Sequence, residues 1–229
     1  MTDRGLLLAI EGGDGSGKAT QAELTRAYVS NDLKRPVLKE SFPRYGEESA
    51  RYVERYLRGE YGDGPDSLPP EVAGVLFAVD RMAGTPAIRA WLEQNPDGIA
   101  VLDRYSGSNL AHQGAKIRDA AKRHAFYNEL QSYEQNVLGM LQPDKNIVLL
   151  VPSLVAQQNV DQKDTRSYTE QKRDIHEGDA EYLDRVKVCY EELCKLFPDQ
   201  FTAINCVDEN GAMRSREAIQ ADIRAAIGI

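Results

Sequence analysis

The glycine-rich stretch at Leu6–Gln21, LLLAIEGGDGSGKATQ, constrains the fold of this chain more than any other segment. It opens with an apolar run, Leu6 to Ile10, whose length and glycine border are typical of a buried parallel strand. Gly12, Gly17 and Lys18 keep the spacing of the phosphate-binding loop, whose backbone N–H groups close on phosphate oxygens. The helix that begins near Lys18 adds the positive end of its dipole. The stretch therefore predicts a strand, a phosphate loop and a helix, in that order.

Position 19 departs from this loop pattern. The pattern requires Ser or Thr there, whose hydroxyl binds magnesium, but the chain has Ala19, with Thr20 one place later. A glycine-rich turn without phosphate is the structural alternative, and the predicted flanking strand and helix make it less favoured. The residues predicted to bind nucleotide phosphates are Gly12, Gly13, Asp14, Gly15, Ser16, Gly17, Lys18, Ala19 and Thr20.

Length, charge and cysteine content exclude several classes of protein. The chain has 229 residues and a formal net charge of -8, so a general nucleic-acid-binding face is not expected. No apolar run reaches the length of a membrane span, and the N-terminus has no signal-peptide pattern. Cys189, Cys194 and Cys206 are too few and too widely placed for a disulfide framework or a zinc site. We therefore expect one cytoplasmic α/β domain spanning residues 1–229.

Strand-like and helix-like segments alternate along the rest of the chain. Further strands are predicted near residues 36–40, 99–102, 146–151 and 202–207, and helices at 19–31, 47–58, 71–91, 118–141, 180–196 and 214–227. This order predicts a doubly wound, five-stranded parallel sheet with helices on both faces. The polar segment at about 157–177 carries Lys163, Arg166, Lys172 and Arg173 and is predicted to be a mobile lid rather than a solvated loop.

Several side chains are predicted at the strand ends where such sheets bind ligands. Arg44, on the loop after the second strand, is suited to a bidentate phosphate contact. Phe77 and Arg81 are four residues apart and share a helix face. Phe77 could stack on a base while Arg81 contacts the ligand. The pattern is equally consistent with a core phenylalanine beside an exposed arginine. Asp103, at the end of the third strand, can order magnesium-bound water or a phosphate-binding arginine.

Taken together, these motifs resemble those of the thymidylate kinase family. The resemblance covers Leu6 to Leu196 and rests on EGGDGSGKATQ, FPRYG, LFAVDR, DRYSGSNLAHQGA, QPD and KRDIHEGD in this order. It implies a P-loop kinase fold and an enzyme that uses ATP and Mg²⁺ to phosphorylate dTMP to dTDP, a step toward dTTP for DNA synthesis. It also implies a homodimer, for which apolar residues of the long helices could supply the interface.

The resemblance implies roles for individual residues as well. Lys18, Arg104, Asp14 and the lid residues Arg166 and Arg173 would act in catalysis. The implied dTMP site, in which Phe77 stacks on thymine and Arg44 holds the phosphate, consists of Asp14, Phe42, Arg44, Phe77, Arg81, Arg104, Ser108, Asn109 and His112. Magnesium would be held, partly through water, by Asp14, Asp103 and Glu177.

Three positions depart from the family pattern and leave alternatives open. Ala19 lacks the magnesium hydroxyl, while His112 and His176 replace aromatic hydroxyl residues. A kinase for another nucleotide or a deoxynucleoside is one alternative, although Arg44 and Arg81 favour an acceptor that already carries phosphate. A nucleotide-binding regulatory protein that has lost catalysis is the other, and Ala19 is the feature that supports it.

Overall fold

A five-stranded parallel sheet forms the centre of the protein. The structure is a computed structural model that describes residues 4–161, 175–176 and 179–229. The strands are β1 (Leu6–Gly12), β2 (Val37–Ser41), β3 (Ile99–Asp103), β4 (Lys145–Leu150) and β5 (Phe201–Asn205). Their order is β2-β3-β1-β4-β5, and every neighbouring pair is parallel. The predicted sheet is confirmed, and its strand order reverses beside β1, the position where such folds bind ligands.

Helices cover both faces of this sheet. They are α1 (Lys18–Asn31), α2 (Arg51–Leu57), α3 (Pro70–Gln94), α4 (Ser106–Gly114), α5 (Ala120–Ser132), α6 (Ser153–Asp161), α7 (Ala180–Leu196) and α8 (Arg216–Ile227). Short 3₁₀ turns occupy Glu48–Ala50 and Pro65–Ser67. Within the described ranges, no helix combines the length and apolar character needed to cross a membrane.

Alternate side chains of β1 enter different layers, because successive residues of a strand point to opposite faces. Leu8 and Ile10 pack in the cluster that includes apolar residues of α1 and α8. Leu7 and Ala9 pack in a second cluster, with α3. All four residues are buried, so β1 is fixed from both faces and holds the glycine-rich loop in a defined place.

The predicted helix at residues 118–141 is shorter in the structure. Helix α5 begins at Ala120, where the Asp119 side chain caps it by accepting from the Lys122 N–H at 2.8 Å. A π-helical turn, Tyr133–Val137, follows α5, and Gly139 then adopts the left-handed region with φ of 64°. The prediction was wrong at both ends because neither the cap nor this turn interrupts the apolar pattern.

The predicted lid is only partly within the described residues. Its first residues, from Gln157, continue helix α6 to Asp161. Lys163, Arg166, Lys172, Arg173 and Glu177 lie outside the described residues. The described pair at 175–176 follows, and Asp179 then caps α7 by accepting from the Tyr182 N–H at 2.9 Å, as the sequence predicts.

Candidate active site

A cavity of about 380 Å³ lies beside the glycine-rich loop. Among its walls are many of the residues predicted for the site: Asp14, Gly15, Gly17, Lys18, Ala19, Phe42, Phe77, Arg81, Asp103, Arg104, Ser108, Asn109 and His112. The walls also include Pro43, Tyr45, Leu57, Tyr105, Gln113 and His176. The structure thus joins the glycine-rich loop of β1, the end of β3 and the inner faces of α3 and α4 around one space.

The glycine-rich loop is tightly folded at the start of α1. Gly15 has φ of 77°, and a Cβ there would collide with the carbonyl oxygen of Ala156 on α6. Gly17 has φ of 90° and forms the N-terminal boundary of α1. The buried Lys18 donates from Nζ to the Gly13 carbonyl at 2.6 Å. Glycine is therefore required at Gly15 and Gly17, and Lys18 is held folded over the loop.

Arg104 and Asp14 form an ion pair at the charged end of the cavity. Arg104 also donates weakly from its guanidinium to Ser108 Oγ at 3.4 Å. Burial alone would lower the pKa of Arg104, but the carboxylates of Asp14 and Asp103 outweigh burial and raise it. A permanent positive charge therefore lies beside the loop, where an anionic phosphate could contact it.

Glu11 forms hydrogen bonds that hold the segment carrying Arg104 in place, a role that the sequence analysis missed. It is fully buried on β1 and accepts from the Tyr105 backbone N–H at 2.9 Å and from Ser108 Oγ at 2.5 Å. Burial raises the pKa of Glu11. The intervening Arg104 has φ of 66°, which is uncommon for a residue with a side chain. Glu11 thus ties the strained segment after β3 to the strand that carries the phosphate loop.

Glu134 organises the opposite end of the cavity and was also missed. The π-helical turn turns it inward, and both Glu134 and Arg81 are only 3% exposed in their ion pair. Glu134 Oε1 also accepts from Asn109 Nδ2 at 2.7 Å, and the same amide donates to the Gly74 carbonyl at 3.0 Å. One carboxylate therefore fixes a guanidinium on α3 and an amide on α4.

Several buried polar atoms on the cavity wall have no hydrogen-bond partner in the part of the chain that the structure describes. They are Arg81 Nε, Asn109 Oδ1, His112 Nε2 and both polar atoms of the Gln113 amide. Buried polar groups are nearly always paired in native proteins. These atoms are therefore available to a polar ligand that carries both donors and acceptors.

Stacked aromatic rings form another part of the cavity wall. Phe77 stacks on His176 with ring centroids 6.4 Å apart, and His176 stacks on His112 at 5.3 Å. His176 Nε2 lies 3.1 Å from the Tyr56 hydroxyl. Burial lowers the pKa of His176 to about 3 and holds that of His112 well below its usual value. Both imidazoles are therefore neutral near pH 7, and this wall carries no charge of its own.

Arg44 lies at the edge of the site rather than in its wall. Its Nε donates to Asp80 Oδ1 at 3.1 Å and one terminal nitrogen donates to Ser49 Oγ at 2.8 Å. Its side chain is 22% exposed, while the buried Asp80 holds it in place. The neighbouring Phe42 and Tyr45 do line the cavity. The proposed contact of Arg44 with phosphate remains a prediction.

Two carboxylates could contribute to a magnesium site. Asp14 and Asp103 both line the cavity near the loop, whereas Glu177 lies outside the described residues. Within the described ranges, no group of three or more histidine, cysteine or carboxylate side chains could hold a metal unaided. Magnesium commonly binds through one or two carboxylates, waters and substrate phosphates, so this donor set fits a magnesium–nucleotide complex.

Sequence comparison decides which family this site belongs to. The thymidylate kinase family model matches residues 10–216. A thymidylate kinase of Mycobacterium tuberculosis (strain CDC 1551 / Oshkosh) is 35% identical over 191 residues, which cover 82% of this chain and 85% of the relative. The chain belongs to the thymidylate kinase family. A thymidylate kinase of Bifidobacterium longum (strain DJO10A) is 26% identical over 224 residues, 97% of each chain.

Solved structures of the thymidylate kinase family share this fold. The structure of thymidylate kinase from Candida albicans matches with a TM-score of 0.67 and 20% identity, over 98% of this chain and 92% of that one. Thymidylate kinase from Ehrlichia chaffeensis also has a TM-score of 0.67, with 19% identity, over 97% of this chain and 98% of that one. These similarities support the P-loop kinase fold of the thymidylate kinase family.

Proposed function

We propose that this protein transfers the γ-phosphoryl group of ATP to dTMP, forming dTDP. The observation that carries the proposal is that one cavity extends from the glycine-rich loop to Phe77 and to buried polar atoms that have no partner within the described residues. The loop end suits the donor phosphates, and the polar and aromatic end suits a planar base. Membership in the thymidylate kinase family supports the same assignment.

The polar end of the cavity supports a pyrimidine as the base of the acceptor. The Gln113 amide is fully buried and offers one donor and one acceptor, neither paired within the described residues. A thymine edge presents an N–H next to carbonyl oxygens, the complement of such an amide. Phe77 can stack on the ring, and Arg81 Nε can donate to a carbonyl. The Gln113 amide can also pair with other bases that present a donor beside an acceptor, so discrimination would come from Arg81 Nε, which can only donate and would stay unpaired against an edge without an acceptor there.

The charged end of the cavity supports phosphoryl transfer. Such transfer needs in-line positioning and neutralisation of negative charge spread over the phosphoryl oxygens. Lys18 and Arg104 supply fixed positive charge and line the same cavity as Asp14. Because the acceptor is already a phosphate oxyanion, no strong general base is required. The lid cations Arg166 and Arg173 would add charge and exclude water on closure.

Magnesium is the proposed metal, held by the nucleotide phosphates with help from Asp14 and Asp103. When bound, it would neutralise charge on the transferring phosphoryl group. Ala19 is exposed at the start of α1 and supplies no hydroxyl. The loss of one ligand need not abolish binding, since magnesium usually keeps several waters. The enzyme is therefore proposed to be magnesium-dependent despite Ala19.

A magnesium titration of dTMP-dependent ADP release tests the donor site. Ala19→Ser is expected to lower the magnesium concentration needed for half-maximal turnover by a few-fold without being required for turnover. Asp14→Asn should raise that requirement or lower kcat, and Arg166→Ala or Arg173→Ala should lower kcat more than dTMP binding. A parent protein that is inactive at all magnesium concentrations, and is restored by Ala19→Ser, would contradict the proposal.

We also propose that the protein is a single-domain homodimer of the reducing cytoplasm. One exposed face of α3 presents four large apolar side chains, between 38% and 47% exposed: Val72, Val75, Val79 and Met82. A contiguous apolar face of this kind suits association with a second copy. Cys189, Cys194 and Cys206 are free thiols, as is usual in a reducing compartment.

A further inference from the structure

A small cavity of about 10 Å³ lies between the π-helical turn and the start of β4. Its polar wall residues include Gln131 at the end of α5, Glu134 in the turn and Asn146 on β4. Met140 and Phe201 are among its apolar neighbours. Within the described ranges, it shares no lining residue with the larger cavity of the candidate active site. A space of this size is large enough for one water molecule.

Three buried polar atoms belong to these wall residues and have no hydrogen-bond partner in the part of the chain that the structure describes. They are Glu134 Oε2, Asn146 Oδ1 and Gln131 Nε2. Leaving such groups unsatisfied costs free energy, and nearly all buried polar groups in native proteins are paired. Three of them around one small cavity therefore indicate a shared partner.

The contacts of the three side chains define the chemistry of that partner. Asn146 Nδ2 donates to the Gln200 carbonyl at 3.1 Å, so Oδ1 is the acceptor that remains. Glu134 Oε1 accepts from Asn109 at 2.7 Å, so Oε2 is the carboxylate oxygen that remains. Gln131 Nε2 can only donate. The partner must donate twice and accept once. Water can do so, whereas a metal cation cannot accept from an N–H group.

We propose that one water molecule binds in this cavity, donates to Glu134 Oε2 and Asn146 Oδ1, and accepts from Gln131 Nε2. Asn146 and Gln131 are then positioning residues, because Glu134 pairs with Arg81 on the wall of the candidate active site. Asn146 lies beside Ala9 of β1 in the sheet, so the water connects the Arg81 guanidinium to the strand that carries the glycine-rich loop. The positioning role rests on the proposed function, since it takes dTMP as the acceptor, while the water site does not.

A high-resolution crystal structure of the wild-type protein tests the water site directly. We expect one peak of density in the cavity at hydrogen-bond distances of about 2.5–3.2 Å from Glu134 Oε2, Asn146 Oδ1 and Gln131 Nε2. The absence of a peak would overturn the proposal. A peak about 2.0–2.4 Å from the two oxygens, the distance of a bound metal ion, would also overturn it.

Steady-state kinetics test the positioning role. Asn146→Val removes the acceptor, and Gln131→Met keeps the length of the side chain but removes the donor. In each variant KM for dTMP should rise about fivefold, the size expected for one lost hydrogen bond, because the Arg81 guanidinium is less well held. Both kcat and KM for ATP should change by less than about twofold, a split that a general loss of structure would not produce. Ser132→Ala, at the exposed position next to Gln131, is the matched control and should behave like the wild type.

The outcomes separate the water site, the positioning role and the proposed function. An unchanged KM for dTMP in folded Asn146→Val and Gln131→Met, or an equal rise in KM for ATP, would overturn the positioning role. If Asn146→Val does not fold, Gln131→Met and the wild-type density decide. A wild-type protein without any dTMP turnover would overturn the proposed function and the positioning role with it, while the crystal structure would still decide the water site.

Discussion

The Glu11 carboxylate on β1 accepts a hydrogen bond from the Tyr105 backbone N–H, 2.9 Å away on the segment that follows β3. The residue between β3 and Tyr105 is Arg104, whose φ of 66° places its backbone in the left-handed region. Holding a non-glycine residue there costs about 1 kcal/mol or more. The hydrogen bond from Tyr105 to Glu11 stabilises this backbone conformation. The position of the Arg104 guanidinium therefore depends on a carboxylate outside the cavity.

Replacing Glu11 by Gln should lower turnover while the fold persists. The amide keeps the shape of the side chain and can still accept from the Tyr105 N–H, but its NH2 group presents a donor where the carboxylate accepts from Ser108 Oγ, so that hydrogen bond is lost or reversed. The loss of one such buried hydrogen bond is worth about 1–3 kcal/mol. We expect kcat/KM for dTMP to fall by about tenfold or more in steady-state assays. Glu23→Gln on α1, a surface carboxylate paired with Arg26, is the control and should behave like the wild type.

Replacing Glu134 by Gln should weaken acceptor binding more than it slows the chemical step. The change removes the charge that pairs with Arg81 and unsettles the amide of Asn109, which donates to the same oxygen. We expect KM for dTMP to rise by about tenfold, with kcat reduced less, because both partners are proposed to contact the base. Glu129→Gln, on an exposed position of α5, should leave both constants unchanged. A change in kcat alone would contradict this role.

The sequence predicts the elements that depend on local patterns. The five strands, the glycine-rich loop and the Asp179 cap follow from apolar runs, from Gly12, Gly17 and Lys18, and from a capping residue before an apolar helix. Much of the cavity wall also follows, since strand ends meet at one edge of a parallel sheet.

The sequence does not predict residues that are recruited across the chain. Glu11 lies near the end of β1, directly after its apolar run, and a carboxylate in a buried strand was a signal that could have been used. Glu134 could not be singled out from the sequence, because it lies in a polar helical stretch. Only the π-helical turn directs its side chain towards the cavity. In the sequence, Tyr182 fits the apolar pattern of α7 like its neighbours. Only tertiary packing brings its hydroxyl into contact with the His112 carbonyl. Such contacts depend on tertiary geometry rather than on spacing.

The buried histidines predict a loss of stability on acidification. Burial lowers the pKa of His176 to about 3 and that of His112 well below its usual value. The unfolded chain binds protons on both rings below about pH 6.5, whereas the native protein does so only at a lower pH. Since stability rises with pH where the unfolded state binds more protons, the free energy of unfolding should fall by up to ~1.4 kcal/mol per pH unit for each ring.

Urea unfolding at pH 7.5 and pH 5.5 measures this slope. His176→Gln should reduce the loss of stability between the two pH values, because one buried titrating ring is absent. His124→Gln is the control, since the His124 side chain is 39% exposed. Equal losses in the wild type and His176→Gln would show that His176 protonation is not coupled to unfolding.

The apolar face of α3 predicts a dimer that a single charge should disrupt. Val79 lies in this face, together with Val72, Val75 and Met82. Burying an unpaired carboxylate in such an interface is costly, so Val79→Asp should be a monomer where the wild type is a dimer. Light scattering after size-exclusion chromatography distinguishes the two. Val188→Asp, at a similarly exposed position on α7, should remain dimeric, and a monomeric wild type would contradict the proposed dimer.

The most direct test of the central claim is acceptor choice, measured as diphosphate formed from dTMP, dCMP, AMP and GMP with ATP and magnesium. The buried amide of Gln113 and the Glu134-bound guanidinium of Arg81 predict that kcat/KM for dTMP exceeds the others by at least about a hundredfold. Lys18→Ala should nearly abolish dTDP formation, because Lys18 is the lysine of the phosphate loop. Equal turnover of AMP and dTMP, or tight dTMP binding without any dTDP, would contradict the assignment of this protein as a thymidylate kinase.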